Sequence, residues 1–150
     1  MLEFLSAIEA SGPVEALKRS FYVYPLVNAL HILSIGALLT GVFLMDLRLL
    51  GFLSGQPFTP FVRLMRRLAL AAFPGAAVTG ALMFGVRATD YVANPAFQAK
   101  MALILLAAAN VLAFRQLPEP RDGPAGRALA ILSIALWLAV LVCGRFIGFL

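Results

Sequence analysis

The chain has 150 residues, of which 62% are hydrophobic and 13% charged, with a formal net charge of +5. An average soluble domain is roughly 45–50% apolar and about 25% charged, so a water-facing surface cannot absorb this composition, and the length suits one domain rather than two. The twelve Lys and Arg residues stand between apolar runs and form no stripe with interleaved aromatics, which argues against nucleic acid as a partner.

At the N-terminus, Glu3 stands where a secretory signal would be basic and Glu9 interrupts the apolar stretch, so the segment does not read as a signal peptide. Ser11-Gly12-Pro13 separates two short amphipathic pieces, expected to lie along a membrane interface. Beyond them, charges divide the chain into uncharged runs at residues 20–45, 68–86, 101–114 and 128–144, the last crossing Arg145 to end at 146–150. A helix needs about 20 apolar residues to cross a hydrocarbon core roughly 30 Å thick. The third run is short and spans only if it starts near Asn94, with Lys100 snorkelling toward the head groups; a re-entrant third segment is the alternative.

The expected fold is therefore all-α, an integral membrane four-helix bundle in a single domain of residues 1–150, with spans at approximately 21–45, 68–86, 95–116 and 128–149. Residues 46–67 hold Gly51, Gly55, Pro57 and Pro60 ahead of the basic cluster Arg63, Arg66 and Arg67 and read as a loop, as do the Pro/Gly-rich residues 117–126. Asn94-Pro95 marks a helix start, with Pro95 in the first helical position. Pro74 should kink the second span or define its first turn. Gly36, Gly41, Gly75, Gly80, Gly85 and the run Ala107–Ala109 permit close helix approach, and Thr79, Asn110 and Ser133 read as buried hydrogen-bonding residues. The single Cys143 excludes an intrachain disulfide and reads as a small hydrophobe.

With four spans, one side carries Arg48, Arg63, Arg66, Arg67, Arg115, Arg121 and Arg127, and the other Lys18, Arg19, Arg87, Lys100 and Arg145. The bias places both termini outside the cytoplasm. Asp46 and Arg48, at the end of the first span, are expected to form an interfacial ion pair or stop-transfer signal.

His31 is the one histidine; about ten residues into the first run, at about 1.5 Å per residue, it lies roughly 15 Å deep. An ionisable group there is a functional candidate. Asn28 precedes it by three residues, and Tyr24 precedes Asn28 by one turn, giving a partly polar stripe. Three readings stay open: a neutral imidazole making an interhelical hydrogen bond, a haem or metal ligand, and a proton relay or substrate contact. Zinc or copper would need ligands that this chain lacks. A b-type haem needs only one His, with Met83, Met101 or His31 of a twofold-related subunit as second ligand. Lys100 and Arg145 either snorkel to lipid phosphates or meet an anionic group, such as a haem propionate, a quinone head group or a substrate carboxylate.

The stretches YPLVNALHILSIGALLTGVFLMDLRLLG, NPAFQAKMALILLAAANVLAF and LSIALWLAVLVCGRFIGFL resemble a family of small bacterial membrane proteins, more distantly similar to the membrane domain of copper-resistance protein D. The resemblance rests on His31, Asp46-Leu47-Arg48 with Gly51, Phe97 with Lys100, and Trp137 with Gly144-Arg145. It implies a bacterial inner membrane and four helices and leaves the activity open. With the orientation above, Tyr24, Asn28, His31, Lys100, Trp137 and Arg145 lie toward the non-cytoplasmic half, where they would converge on one pocket. The expected function is a small membrane protein binding a redox cofactor, b-type haem or quinone, through His31. Its rivals are a non-catalytic accessory subunit of a larger membrane complex, and a small-molecule or ion carrier. No catalytic motif marks an enzyme, and the partners expected are the lipid bilayer and a homo-oligomer or larger complex.

Overall fold

A backbone enclosed by apolar side chains meets its own N–H and C=O groups most completely as an α-helix, and the apolar runs take that form. The computed structural model describes residues 2–117 and 123–149, which form helices and connecting turns with no strand among them. In chain order the helices are α1 (Leu2–Glu9), α2 (Gly12–Arg19), α3 (Val23–Leu49), α4 (Phe58–Val86), α5 (Ala88–Ala93), α6 (Pro95–Arg115) and α7 (Pro124–Phe146). Four of them, α3, α4, α6 and α7, are long and apolar enough to cross a membrane. Arg121 and most of the second loop, residues 118–122, lie outside the described residues.

The helix ends depart from the expected spans for local reasons. α3 continues past Asp46 and Arg48 and stops only at Leu49. There Gly51 takes φ 96°, Phe52 N–H reaches the Leu47 carbonyl at 3.0 Å, and Gly51 N–H reaches that of Arg48 at 3.3 Å. This paired closure needs a left-handed residue, which glycine supplies without strain. α4 starts at Phe58, so Arg63, Arg66 and Arg67 are helical rather than part of a loop. Pro60 falls in the first turn, where its missing N–H has no partner to lose, and the arginines are good helix formers. Pro74 lies well inside α4 instead of opening it. Asn94 caps α6 as its sequence suggests: its side-chain oxygen accepts from Ala96 N–H at 2.9 Å and Phe97 N–H at 3.1 Å.

α3 lies along α4, α6 lies along α7, and α3 also meets α7; α6 approaches neither α3 nor α4 closely. The long helices thus pack in the order α4, α3, α7, α6. Leu38, Val42 and Ala69 form the core where α3 meets α4, with Phe43, Ala72 and Trp137 against it. The α3–α4 contact is set by small residues. A Cβ on Gly41 would stand 2.8 Å from the Met65 carbonyl oxygen, and one on Gly75 would stand 2.6 Å from Ser34 Oγ. The opposite faces leave large apolar side chains exposed, among them Leu33, Leu70, Leu105 and Ile131.

The two N-terminal pieces are α1 and α2, divided next to Ser11 as expected. α2 buries Val14 and Leu17, and Val14 fills the space beside Gly85, where a Cβ would stand 2.9 Å from Val14 Cγ2. The Glu9 carboxylate accepts from the Thr89 N–H at 2.8 Å and the Thr89 hydroxyl at 2.7 Å. It therefore caps the first turn of α5 from another part of the chain.

Two outcomes follow from this packing. Gly41→Leu should destabilise the detergent-solubilised protein by about 1–3 kcal/mol through overpacking against backbone, whereas Gly36→Ala, with open space at its Cβ, should be neutral or slightly stabilising in thermal unfolding. The bonds from Thr89 hold the Glu9 carboxyl below its usual value, so docking of α1 on α5 is supported above the ordinary glutamate pKa of about 4.3. That support is lost as pH falls through the lower folded value. Exchange of the Thr89 amide hydrogen should accelerate in acid beyond its intrinsic pH trend, and Glu9→Gln should remove that response.

Candidate functional site

Tyr24, Asn28 and His31 are all half-buried on α3, spaced so that they share one face. α4 meets this face at His31: the imidazole Nδ1 stands 2.8 Å from Thr79 Oγ1. The chemistry of the hydroxyl fixes the direction of that bond. Thr79 donates its one proton to the Gly75 carbonyl a turn earlier on α4, so toward His31 it can only accept. Nδ1 therefore carries the hydrogen, and the lone pair sits on Nε2. The adjacent Gly80 makes room for the ring, since a Cβ there would stand 3.1 Å from His31 Cε1 and 3.9 Å from Nε2. The imidazole is held edge-on against the α4 backbone, where the Ala76 carbonyl also accepts from the ring.

Lys100 comes from the second turn of α6. Its Nζ passes over Gly144 of α7, 3.5 Å from where a Cβ would stand. Although α3 and α6 do not approach closely, the ammonium charge acts on His31. Lys100 is half-buried and has no hydrogen-bond or ion-pair partner among the described residues.

Rings from three helices stack beside Tyr24. Phe84 of α4, Tyr91 of α5 and Phe97 of α6 stack with centroids 6.3, 5.4 and 5.8 Å apart, and Tyr24 hydrogen-bonds Tyr91 from α3. Burial pushes the Tyr91 phenol above its usual range, and Tyr24 acts in the same direction, so Tyr91 stays neutral.

Of the residues expected in one pocket, Tyr24, Asn28 and His31 share a face of α3, and Lys100 acts on His31 only through its charge, from α6. Asn28 has no hydrogen-bond partner among the described residues. Trp137 instead packs on the Leu38–Val42–Ala69 core, and Arg145 is exposed with its guanidinium 4.8 Å from the centre of the Phe149 ring. Arg145 points about 100° around α7 from Gly144, and Trp137 lies about two turns before Gly144 on its face, at the level of that core. Met101 is 43% exposed, and Met83 is half-buried one turn beyond Thr79. Among the described residues no three His, Cys, Asp or Glu side chains are grouped to hold a metal ion.

Asp46 corrects an expectation: it forms no ion pair with Arg48. It is 3% exposed, and Ser133 of α7 faces its carboxyl. Arg48 turns away, donating from Nε to the Gln56 carbonyl at 3.1 Å and lying over the Phe58 ring at 5.1 Å. The continuation of α3 past Asp46 is the reason: two helical positions apart, the side chains point about 200° from one another around the axis.

No family model, curated protein or solved structure matches the chain.

Thr79→Val should free Nδ1, which ¹⁵N NMR of the imidazole would register as a shift from a fixed Nδ1–H form to a tautomer mixture, whereas Thr79→Ser should retain it. The stability loss for Thr79→Val should be near the average of about 0.6 kcal/mol for a membrane interhelical hydrogen bond.

Proposed function

We propose that the chain is a multi-pass protein of a bacterial inner membrane, a four-helix bundle with both termini outside the cytoplasm and α1–α2 lying along the interface. We further propose that it holds a quinone head group between His31 and Lys100. The observation that carries this is the fixed imidazole: Thr79 keeps the hydrogen on Nδ1, leaving Nε2 to accept, while the charge of Lys100, which has no partner among the described residues, acts on the same ring. In the reduced, hydroquinone form one ring oxygen accepts from the Lys100 ammonium and the hydroxyl at the other donates to Nε2. The aromatic stack of Phe84, Tyr91 and Phe97 offers a planar apolar wall. The exposed apolar faces of the long helices agree with lipid on the outside.

A b-type haem fits less well. Neither Arg145 nor the exposed Met101 is placed to complete such a site.

A short-chain ubiquinol analogue, kept reduced, should bind the purified protein saturably and raise its unfolding midpoint. His31→Leu and Lys100→Gln should each weaken binding roughly tenfold, the loss of one charge-assisted or buried hydrogen bond. A Soret band in the purified protein would favour haem instead, and a colourless protein without saturable quinone binding would leave the accessory-subunit reading. Reporter fusions after Gly55 and Gly123 should report cytoplasm, and fusions near Asp90 and at the C-terminus the outside.

A further inference from the structure

The first turns of α4 carry Arg63, Arg66 and Arg67, all exposed and all without a hydrogen bond or ion pair among the described residues. Arg48, the next basic side chain at this end of α4, is engaged with the Gln56 carbonyl and the Phe58 ring. Among the described residues, Glu3, Glu9, Glu15 and Asp90 belong to α1, α2 and α5, which lie at the opposite end of α4, and Asp46 is buried. The arginines therefore stand together with no exposed carboxylate of the described residues beside them. Thr59, Pro60, Arg63, Leu64 and Arg67 line an open cleft of about 320 Å³. Arg63 and Arg67 are one turn apart, so their guanidinium groups can hold a single phosphate between them.

The rest of the same face selects what carries that phosphate. Arg63, Arg67, Leu70, Pro74 and Val78 follow one another at three- and four-residue spacing, all exposed, while the buried Val62 and Ala69 mark a different face. Leu70 is 65% and Val78 60% exposed. The uncharged run 68–86 is itself about as long as the roughly 20 residues that cross a hydrocarbon core, which puts the arginines at the level of the lipid phosphates. From Arg67 to Val78 the stripe runs roughly 16 Å along the axis at about 1.5 Å per residue, the depth of one leaflet of a core roughly 30 Å thick. A free phosphate would use the cleft and leave the stripe bare, whereas a phospholipid uses both. A zwitterionic headgroup brings its own cation toward Arg66, and an anionic one does not. We propose that this face of α4 binds an anionic phospholipid, its phosphate held in the cleft by Arg63 and Arg67 and one acyl chain laid along Leu70, Pro74 and Val78. The site rests on the reading of α4 as a membrane span and is independent of the quinone.

Thermal unfolding of the purified full chain in dodecyl maltoside micelles, doped with dioleoyl phosphatidylglycerol or dioleoyl phosphatidylcholine, tests this. Phosphatidylglycerol should raise the midpoint saturably, and phosphatidylcholine should not. Arg63→Gln and Arg67→Gln should each raise the half-saturating mole fraction roughly tenfold, the loss of one charge-assisted contact. Arg115→Gln, which removes the same charge from the end of α6, and Arg19→Gln in α2 should leave it unaltered. An equal response to the two lipids, or none to either, would overturn the proposal. So would an equal weakening by Arg115→Gln, the mark of diffuse surface charge, or an equal rise in midpoint with water-soluble glycerol phosphate, the mark of a free-anion site. Incorporation into phosphatidylcholine vesicles that survives an alkaline carbonate wash reports the spanning of α4 separately. A chain that inserts and shows no lipid preference refutes the lipid site alone, and one that is washed off refutes both readings.

Discussion

Polar side chains enclosed by apolar helices must find one another, because neither lipid nor a hydrophobic core offers a substitute for water. That constraint organises this protein. Each long helix satisfies its own backbone, so the few polar groups on its inward face decide how the helices sit. His31 meets Thr79 across the α3–α4 contact, Asn110 meets the Leu129 carbonyl across α6–α7, and Ser133 meets Asp46 across α7–α3. Each of the three helix contacts carries one polar link, and small residues such as Gly41 and Gly75 let the backbones come near enough to make it.

The same economy gives the candidate site its chemistry. A hydroxyl with one proton, already donated along its own helix, can only accept from the imidazole, and this leaves Nε2 bare without any metal or charge to hold it. Lys100 approaches from a helix that does not touch α3, so the pair frames a space rather than filling it. An accepting nitrogen and a donating ammonium group suit a ligand that offers a hydroxyl at one end and an acceptor oxygen at the other, and the reduced form of the proposed quinone has that property.

The helices themselves were legible because long apolar runs allow few alternatives. Their ends were less so: charge ends an apolar run but not a helix, which is why Arg63, Arg66 and Arg67 lie inside α4 and Asp46 inside α3. Asn94 was readable because a cap is a local event. Among site residues, His31 and Lys100 stood out as ionisable groups in apolar surroundings. The partnership of His31 with Thr79 depends on the register between two helices, which no single-helix pattern contains. Depth alone groups Trp137 and Arg145 with His31, and it does not say that Arg145 faces away around α7 or that Trp137 lies two turns from Gly144, against the core. The stack of Phe84, Tyr91 and Phe97 draws one ring from each of three elements and leaves no periodic trace. The short helix α5 that carries Tyr91 has only six residues, too few for a pattern to be recognised.

The account rests on His31 and Lys100 facing one ligand-holding space, and photo-crosslinking locates that space directly. An azido-quinone photolysed on the purified protein should label peptides of α3 around His31 and of α6 around Lys100, and excess unmodified quinone should suppress both labels together. Labelling spread over the outward faces of all four long helices, unaffected by competitor, would contradict it.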